Sequence, residues 1–313
     1  MNIKDDTLYI LVEGEPTSPE VESFGRLLSA DINTANYEFI KIGGSSNFNT
    51  VAKLIYNKVK NRENSIHKVI PVLAIADRDF RKYSADDDIL DQNLIEKNRA
   101  KIIYWERHEW ENFLLDELDV ITSFLNQLPN KSLNNKPAKQ VVIHITEEFI
   151  NNFLLQYFKS QIQTEFIECI RFRFLHSDKS YSKLEAPKDI IGIDDLRKWY
   201  ISQIDEKSQQ SKNKIESCTA IFDQVLEEYN WRNWIEDPQS LSLDDGKQYF
   251  RGKEAFANLL NYLSNEFKIY HLNENRLKER ILRDLENRKE SILASQINKL
   301  LSPYLEKAKE ILE

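Results

Sequence analysis

Carboxylate residues stand directly after two short apolar runs of the sequence. Glu13 follows the run 8–12, and Asp77 and Asp79 follow the unbroken apolar run 69–76. Residues two apart in an extended chain point to the same side, so Asp77 and Asp79 can face one point in space. Carboxylates held that close repel each other unless a cation lies between them. Magnesium is commonly bound by one or two carboxylates together with water and phosphate, so this spacing predicts a divalent-cation site.

A third group of acids follows the apolar run 101–105. It lies at the predicted start of a helix and contains Glu106, Glu109 and Glu111, with His108 among them. An acidic residue in a first helical turn is favoured by the helix dipole alone, so no single glutamate of this group indicates a site. Taken together with the Asp-x-Asp pair, the group indicates a shared acidic site in which His108 could assist proton transfer.

The first part of the chain alternates between predicted strands and helices. Short apolar runs predict strands at 8–12, 37–42, 69–76 and 101–105, and apolar residues at helical spacing predict helices after the first two of them. The third run lacks the alternation of a half-buried strand, which is typical of a parallel strand covered on both faces. We therefore predict a doubly wound α/β domain with a mostly parallel sheet, whose ligands bind at the carboxyl ends of the strands.

The rest of the chain is predicted to be mainly helical. A polar stretch at 130–136 indicates a linker or an exposed excursion, and we expect one domain at 1–128 and a second region at 129–313. Helices are predicted at 147–163, 194–209, 212–230 and 253–265, and at 275–312, the last either continuous or broken near Pro303.

A basic and aromatic stretch interrupts this helical pattern. Arg171 and Arg173 alternate with apolar residues within 166–175, which predicts a further strand. Together with Lys179, these arginines could clamp single-stranded nucleic acid while the aromatic rings stack on its bases. A half-buried strand with a charged rim is the more common explanation of the same alternation.

The composition excludes several classes of protein. The chain has 313 residues, 41% of them apolar and 30% charged, with a formal net charge of −8. Its longest apolar run is far shorter than the ~20 residues that cross a bilayer, so we do not expect a membrane protein. The acidic balance argues against binding of nucleic acid by charge over the whole surface. Because no basic stretch leads into an apolar one at the N-terminus, we expect a cytoplasmic protein.

Residue spacing argues against two further kinds of site. Cys169 and Cys218 stand far apart without neighbouring cysteine or histidine at metal-ligand spacing, which argues against a disulfide framework and a cysteine-based zinc site. The pair Gly43-Gly44 is not followed by the Lys-Ser or Lys-Thr of a Walker A loop. We therefore do not expect this chain to hydrolyse ATP itself.

Three motifs occur in a fixed order along residues 7–118. They are Glu13-Gly14-Glu15, then Asp77-Arg78-Asp79-Phe80, then His108-Glu109-Trp110-Glu111-Asn112-Phe113-Leu114-Leu115. Their order resembles the TOPRIM domain, the metal-binding fold of topoisomerases, primases and certain nucleases. The second and third motifs are similar to the branch found in OLD-family nucleases and in single-domain effectors of phage defence that work beside an ABC-type ATPase.

This resemblance implies a set of metal ligands. In that branch the matching residues bind one or two Mg²⁺ ions, for which Mn²⁺ could substitute, and they take part in catalysis. The matching positions here are Glu13, Asp77, Asp79 and Glu111. Glu109 is a less direct match to the same set.

The resemblance also implies a lysine outside the acidic set, in a Gly-Lys-Glu context. Lys253 fits that context, and Lys247 is a nearby competitor. Such a lysine could neutralise charge that develops on phosphate during the reaction. One departure from the family pattern concerns the acid that usually follows the first motif, which in this chain could be Glu15, Glu20 or Glu22.

The function that the resemblance implies is hydrolysis of phosphodiester bonds by a magnesium-dependent endonuclease. It further implies a toxic effector of an anti-phage defence system, restrained by an ABC-type ATPase partner and acting on transfer RNA or other RNA. An OLD-like nuclease that cuts DNA is the alternative. The helical region would then supply contacts to the partner, the substrate or a second copy in a homodimer. A regulatory subunit that binds a metal or a nucleotide without cutting belongs to a different class and fits the same acids.

Overall fold

The computed structural model describes most of the chain and divides it into two compact units. The described residues are 2–14, 19–29, 36–81, 100–128, 144–177, 190, 192–207, 212–267, 269, 272–288 and 291–313. The first unit comprises Met1–Arg78, Tyr83–Ile145 and Leu260–Glu313, and the second comprises Asp79–Lys82 and Thr146–Leu259. The chain therefore returns to its first unit at residue 260.

The first unit is built on a parallel sheet of four strands. They are β1 (Leu8–Val12), β2 (Tyr37–Lys41), β3 (Val72–Ala76) and β4 (Ala100–Tyr104), in the order β2-β1-β3-β4. Every residue of the two central strands, β1 and β3, is buried, as expected for parallel strands covered on both faces. The predicted α/β class with a parallel sheet and a mainly helical later region is confirmed.

One face of the sheet packs against helix α2 (Phe48–Val59). Phe48, Ala52, Ile55 and Val59 recur at helical spacing and are buried against inward-facing side chains of the sheet. The other face carries an aromatic cluster around Phe24, the last residue of the short helix α1 (Glu20–Phe24). The ring of Phe24 lies 6.4 Å from Phe39, 5.5 Å from Trp105 and 5.6 Å from Trp110 between centroids.

Two short helices follow β4 in this unit. They are α3 (Glu111–Leu114) and α4 (Leu118–Gln127). The residues of α3 are all buried, including Glu111 and Asn112. A buried acidic residue needs a compensating charge or hydrogen bond. Glu111 must therefore have such a partner in the folded protein.

Helices α11 (Glu274–Asn287) and α12 (Ile292–Leu312) belong to the same unit. Both alternatives predicted for 275–312, a continuous helix and a break near Pro303, are wrong, because the two helices are separated before residue 292 and Pro303 lies inside α12. The side chain of Ser291 caps the restarted helix by accepting a hydrogen bond from the backbone N–H of Ala294 at 3.0 Å. Pro303 is exposed, so the carbonyl group that its ring leaves without a helical donor is on the solvent side.

The second unit is helical over the part of it that the structure describes. Its helices are α5 (Glu147–Ser177), α6 (Ile193–Lys207), α7 (Lys212–Leu226), α8 (Trp231–Glu236), α9 (Leu243–Tyr249) and α10 (Gly252–Glu266), the last of which continues past residue 259. The strand predicted at 166–175 is wrong, because this stretch belongs to α5. Apolar residues at every fourth position indicate a helix here. The buried residues of α5 with this spacing include Ile150, Leu154, Phe158, Ile162, Phe166 and Ile170.

A buried glutamate in the first unit gives a testable pH dependence. Burial raises the pKa of Glu117 from about 4.5 to about 7, although the nearby charge of Arg288 acts in the opposite direction. The folded protein therefore takes up a proton as the pH falls through 7, and the cost of burying the charge disappears. We expect the free energy of unfolding of the native protein to rise by about 2 kcal/mol more than that of Glu117→Gln between pH 8 and pH 5.

Urea unfolding at both pH values measures this difference. The exposed Glu279 lies in α11 and provides the matched control, because Glu279→Gln should keep the pH dependence of the native protein. An identical pH dependence for Glu117→Gln and the native protein would show that Glu117 ionises as an ordinary surface acid.

Candidate metal centre

The carboxyl ends of β1 and β3 bring the first two predicted acids to one edge of the sheet. Val12 is paired with Ile75 across the parallel ladder, so Glu13 and Asp77 both leave the sheet at this edge. Asp77 is only 4% exposed, and Glu13 is partly buried. Two of the predicted ligands thus follow adjacent strands at the same edge of the sheet.

The segment after β3 is attached to the segment after β4. The backbone N–H of Trp105 donates to the carbonyl of Ala76 at 3.2 Å, and Arg78 Nε donates to the carbonyl of Trp105 at 2.8 Å. Arg78 is buried. These bonds fix the backbone on either side of Asp77 and hold the start of the third motif beside it.

Asp79 is not placed by strand alternation as the sequence predicted. The strand ends at Ala76, and Asp79 has a φ of +51°, in the left-handed region that is uncommon for residues with a side chain. Its Oδ2 atom accepts a hydrogen bond from Arg81 at 2.8 Å. Aspartate is among the residues that tolerate this conformation, and such conformations cluster at functional sites.

Two residues of the third motif, His108 and Glu109, lie side by side in the first unit. His108 is 2% exposed and Glu109 is 7% exposed, and His108 Nδ1 lies 3.9 Å from Glu109 Oε1. The carboxylate suits Mg²⁺ or Mn²⁺, whereas an imidazole ligand is more usual for transition metals such as zinc and iron.

A compact turn holds His108 and Glu109. The backbone N–H of Glu109 donates to Asn112 Oδ1 at 2.9 Å, and Arg107 donates to the carbonyl of Asn112 at 2.8 Å. Arg107 also forms an ion pair with Asp116 at 2.6 Å and lies over the ring of Phe113. Asn112 is fully buried, so the hydrogen bonds that hold this turn are made in the interior of the protein.

Glu111 has a different environment from the one predicted. It is 1% exposed, and its Oε1 atom accepts a hydrogen bond from Lys278 Nζ at 2.9 Å. Lys278 also contacts Glu274 at 2.7 Å and lies over the ring of Trp110. Burial lowers the pKa of Lys278, but the charges of Glu111 and Glu274 outweigh it and raise that pKa above its ordinary value. One oxygen of Glu111 is therefore engaged by a protonated lysine.

Lys278 was not identified from the sequence. It stands on the buried stripe of α11, next to Leu277 and one helical turn before Ile281 and Leu282. A lysine at such an apolar position indicates a buried charge that needs an acidic partner, and this signal was present in the sequence. The identity of the partner was not, because Glu111 lies 167 positions away.

The remaining predicted site residues lie elsewhere or outside the described chain. Lys253 is exposed in the first turn of α10, and its competitor Lys247 is buried in α9. Arg171 and Arg173 lie on α5 in ion pairs with Glu168 and Glu228, at 2.8 Å and 2.9 Å. Residues that the structure does not describe are Lys179, Glu15 and the side chain of Glu20. Glu22 is exposed on α1.

Comparison with known proteins gives no match. No protein-family model matches the chain, and searches of curated proteins and of solved structures likewise find no similar one. Among the described residues, every helix is too short or too polar to span a bilayer.

The pair Lys278 and Glu111 gives a stability prediction. Lys278→Met keeps the length of the side chain but leaves a buried carboxylate without its cation, and we expect it to lower the free energy of unfolding by about 3–5 kcal/mol. The double variant Lys278→Met with Glu111→Gln removes both charges and should recover much of that loss. Urea unfolding of each variant measures the effect.

Lys299→Met is the matched control. Lys299 also contacts a glutamate, Glu106, which lies just before the third motif, but the Lys299 side chain is 66% exposed. Exposed ion pairs contribute about 0–1 kcal/mol, so the control should change stability little. Equal losses in Lys278→Met and Lys299→Met would contradict the role given to the buried pair.

Proposed function

We propose that this chain is a metal-dependent nuclease of the TOPRIM type, of the OLD-like branch, that hydrolyses phosphodiester bonds in nucleic acid. The observation that supports it best is that Glu13 and Asp77 directly follow adjacent parallel strands, at the edge where α/β sheets bind their ligands. The neighbouring side chains of His108 and Glu109 offer further ligand atoms in the same unit.

The reaction requires a new bond from a water oxygen to phosphorus while the bond from phosphorus to one nucleotide oxygen breaks. Glu13, Asp77, Asp79 and Glu109 would hold one or two divalent cations, which supply charge to the phosphate and lower the pKa of water. His108 lies beside Glu109 and would accept a proton from the attacking water. The side chains of Arg78 and Arg107 donate hydrogen bonds to backbone carbonyls, and these bonds would keep the acids in position during the reaction.

The acidic net charge is compatible with a nucleic-acid substrate in this proposal. The chain carries a formal charge of −8, and repulsion would oppose binding of a polyanion. Bound divalent cations would neutralise the scissile phosphate locally, so the surface need not be basic throughout. Lys253 keeps the role of shielding charge that the resemblance gives it, as part of the proposal.

The finer parts of the proposal also come from the resemblance. They are RNA, transfer RNA in particular, as the substrate, a role as a toxic effector in anti-phage defence, an ABC-type ATPase as the partner, and a homodimer. An OLD-like DNA nuclease differs from it only in substrate. Parallel assays on RNA and DNA separate these two possibilities directly.

A nuclease assay on the purified full chain tests the proposal. We expect cleavage of RNA or DNA with Mg²⁺ or Mn²⁺, none in EDTA, and a loss of at least about 100-fold in Glu13→Gln and Asp77→Asn. Glu38→Gln is the matched control, because Glu38 is an exposed acid on β2 within the same sheet. Its cleavage rate should stay within a factor of two of the native rate. Thermal unfolding checks that each variant is folded.

Two outcomes of this assay would overturn the proposal. Cleavage that persists in EDTA and in Glu13→Gln would exclude the metal mechanism. Absence of cleavage with any substrate, although the protein binds Mn²⁺, would favour a regulatory subunit that binds without cutting.

The contact of Glu111 with Lys278 supports Glu109, rather than Glu111, as the metal ligand in this proposal. Since Glu111 is engaged by Lys278, we expect Glu109→Gln to abolish cleavage with little change in stability. Glu111→Gln should leave Lys278 without one of its two acidic partners and lower stability. Measuring cleavage rate and urea unfolding for both variants checks this. Full activity in Glu109→Gln would contradict Glu109 as a metal ligand and favour Glu111 instead.

A further inference from the structure

A basic surface lies at the end of the sheet opposite to the acidic edge. It is formed by α2 from Lys53 onward and by the segment that leads from α2 into β3, which begins at the amino end of the sheet. Its basic residues are Lys53, Lys58, Lys60, Arg62 and Lys68, against the single carboxylate of Glu63 between them in the sequence. In a chain with a net charge of −8, such a concentration of positive charge is unusual.

This surface contains a cavity of about 230 Å³. Its lining residues are Tyr56, Val59, Lys60, Ser65, His67 and Lys68. Lys60 and Lys68 are exposed, whereas Ser65 and His67 are buried. The cavity thus combines two basic side chains that reach solvent with a hydroxyl and an imidazole in its buried wall.

The buried wall of the cavity is rigid. His67 Nε2 lies 3.1 Å from the carbonyl oxygen of Thr7, and the imidazole ring stacks on Tyr9 with centroids 5.7 Å apart. Ser65 Oγ accepts a hydrogen bond from the backbone N–H of His67 at 3.3 Å. A ligand that enters the cavity therefore meets polar groups that are already fixed.

The negative charge of Asp5 near the cavity is compensated by Arg62. The carboxylate of Asp5 lies close enough to affect His67, and it forms an ion pair with Arg62 at 2.5 Å. The C-terminal end of α2 carries partial negative charge, which is reason enough for Lys58 and Lys60 to stand there. Lys68 lies beyond α2, at the end of the single 3₁₀ turn Ile66–Lys68, and lines the same cavity.

We propose that this cavity binds a phosphate group of a nucleic-acid chain or of a free nucleotide. Its volume is below the ~300–1,000 Å³ of pockets that enclose a whole small molecule, so it takes one phosphate with part of its sugar. Lysine is a common ligand of phosphate, and the Tyr56 ring provides a surface for a sugar or base. The site is independent of the metal centre.

Fluorescence anisotropy with the full chain in EDTA tests the proposal without any cleavage. The probes are a labelled twelve-nucleotide single-stranded RNA with a 5′-phosphate and a labelled ADP. We expect Lys60→Gln with Lys68→Gln to weaken binding of at least one probe by tenfold or more. Lys53→Gln with Lys58→Gln is the matched control, since it removes the same charge from the same surface outside the cavity and should weaken binding by twofold or less.

The two probes identify the source of the phosphate. Loss of RNA binding alone in the cavity variant assigns the site to a nucleic-acid chain, and loss of ADP binding assigns it to a nucleotide. Equal weakening by the two double variants would mean diffuse attraction of a polyanion and would overturn the proposal. Absence of binding of both probes to the native protein would overturn it as well.

This proposal and the proposed nuclease function can fail separately, because EDTA removes the divalent cations that cleavage would need. Probe binding that depends on Lys60 and Lys68, in a protein that cuts neither RNA nor DNA, would support this site and contradict the nuclease. All four lysines of the double variants are exposed, and thermal unfolding should show that both variants fold normally.

Discussion

The parallel pairing of β1 with β3 is the constraint on which the rest of the first unit depends. It fixes Val12 beside Ile75, and the acids that follow each strand must then leave the sheet at the same edge. A shift of one residue in this pairing would turn every side chain of a strand to the opposite face. Both strands are completely buried, so such a shift would expose apolar side chains and is strongly disfavoured.

Acids in and after the third motif are paired with cations of the first unit. Lys278 binds Glu111, Arg107 binds Asp116, and Arg288 contacts Asp119 at 2.7 Å. Lys278 and Arg288 come from the segment after residue 260, which also packs on the start of the chain through hydrogen bonds of Asn298 to Leu27 and Ser29. In our proposal a divalent ion offsets the remaining charge at the edge itself.

Much of the sheet could be predicted from the sequence, because continuous apolar runs and the acids after them are local features. The positions of Glu13 and Asp77 followed from those runs. The contact between Lys278 and Glu111 could not, since it joins residues 167 positions apart and depends on how α11 packs. Within 166–175, alternation was mistaken for a strand because a longer window with a period of four was needed to recognise α5. The backbone conformation at Asp79 was not predicted, because the presence of an aspartate does not by itself indicate a positive φ.

The most direct measurement is the location of Mn²⁺ in crystals of the full chain, found by anomalous scattering at the manganese edge. The account predicts a peak at the carboxyl ends of β1 and β3, with oxygen atoms of Glu13 or Asp77 and ligand atoms of Asp79 or Glu109 within about 2.0–2.5 Å. A manganese peak elsewhere, with the Glu13 and Asp77 side chains directed away from one another, would contradict it.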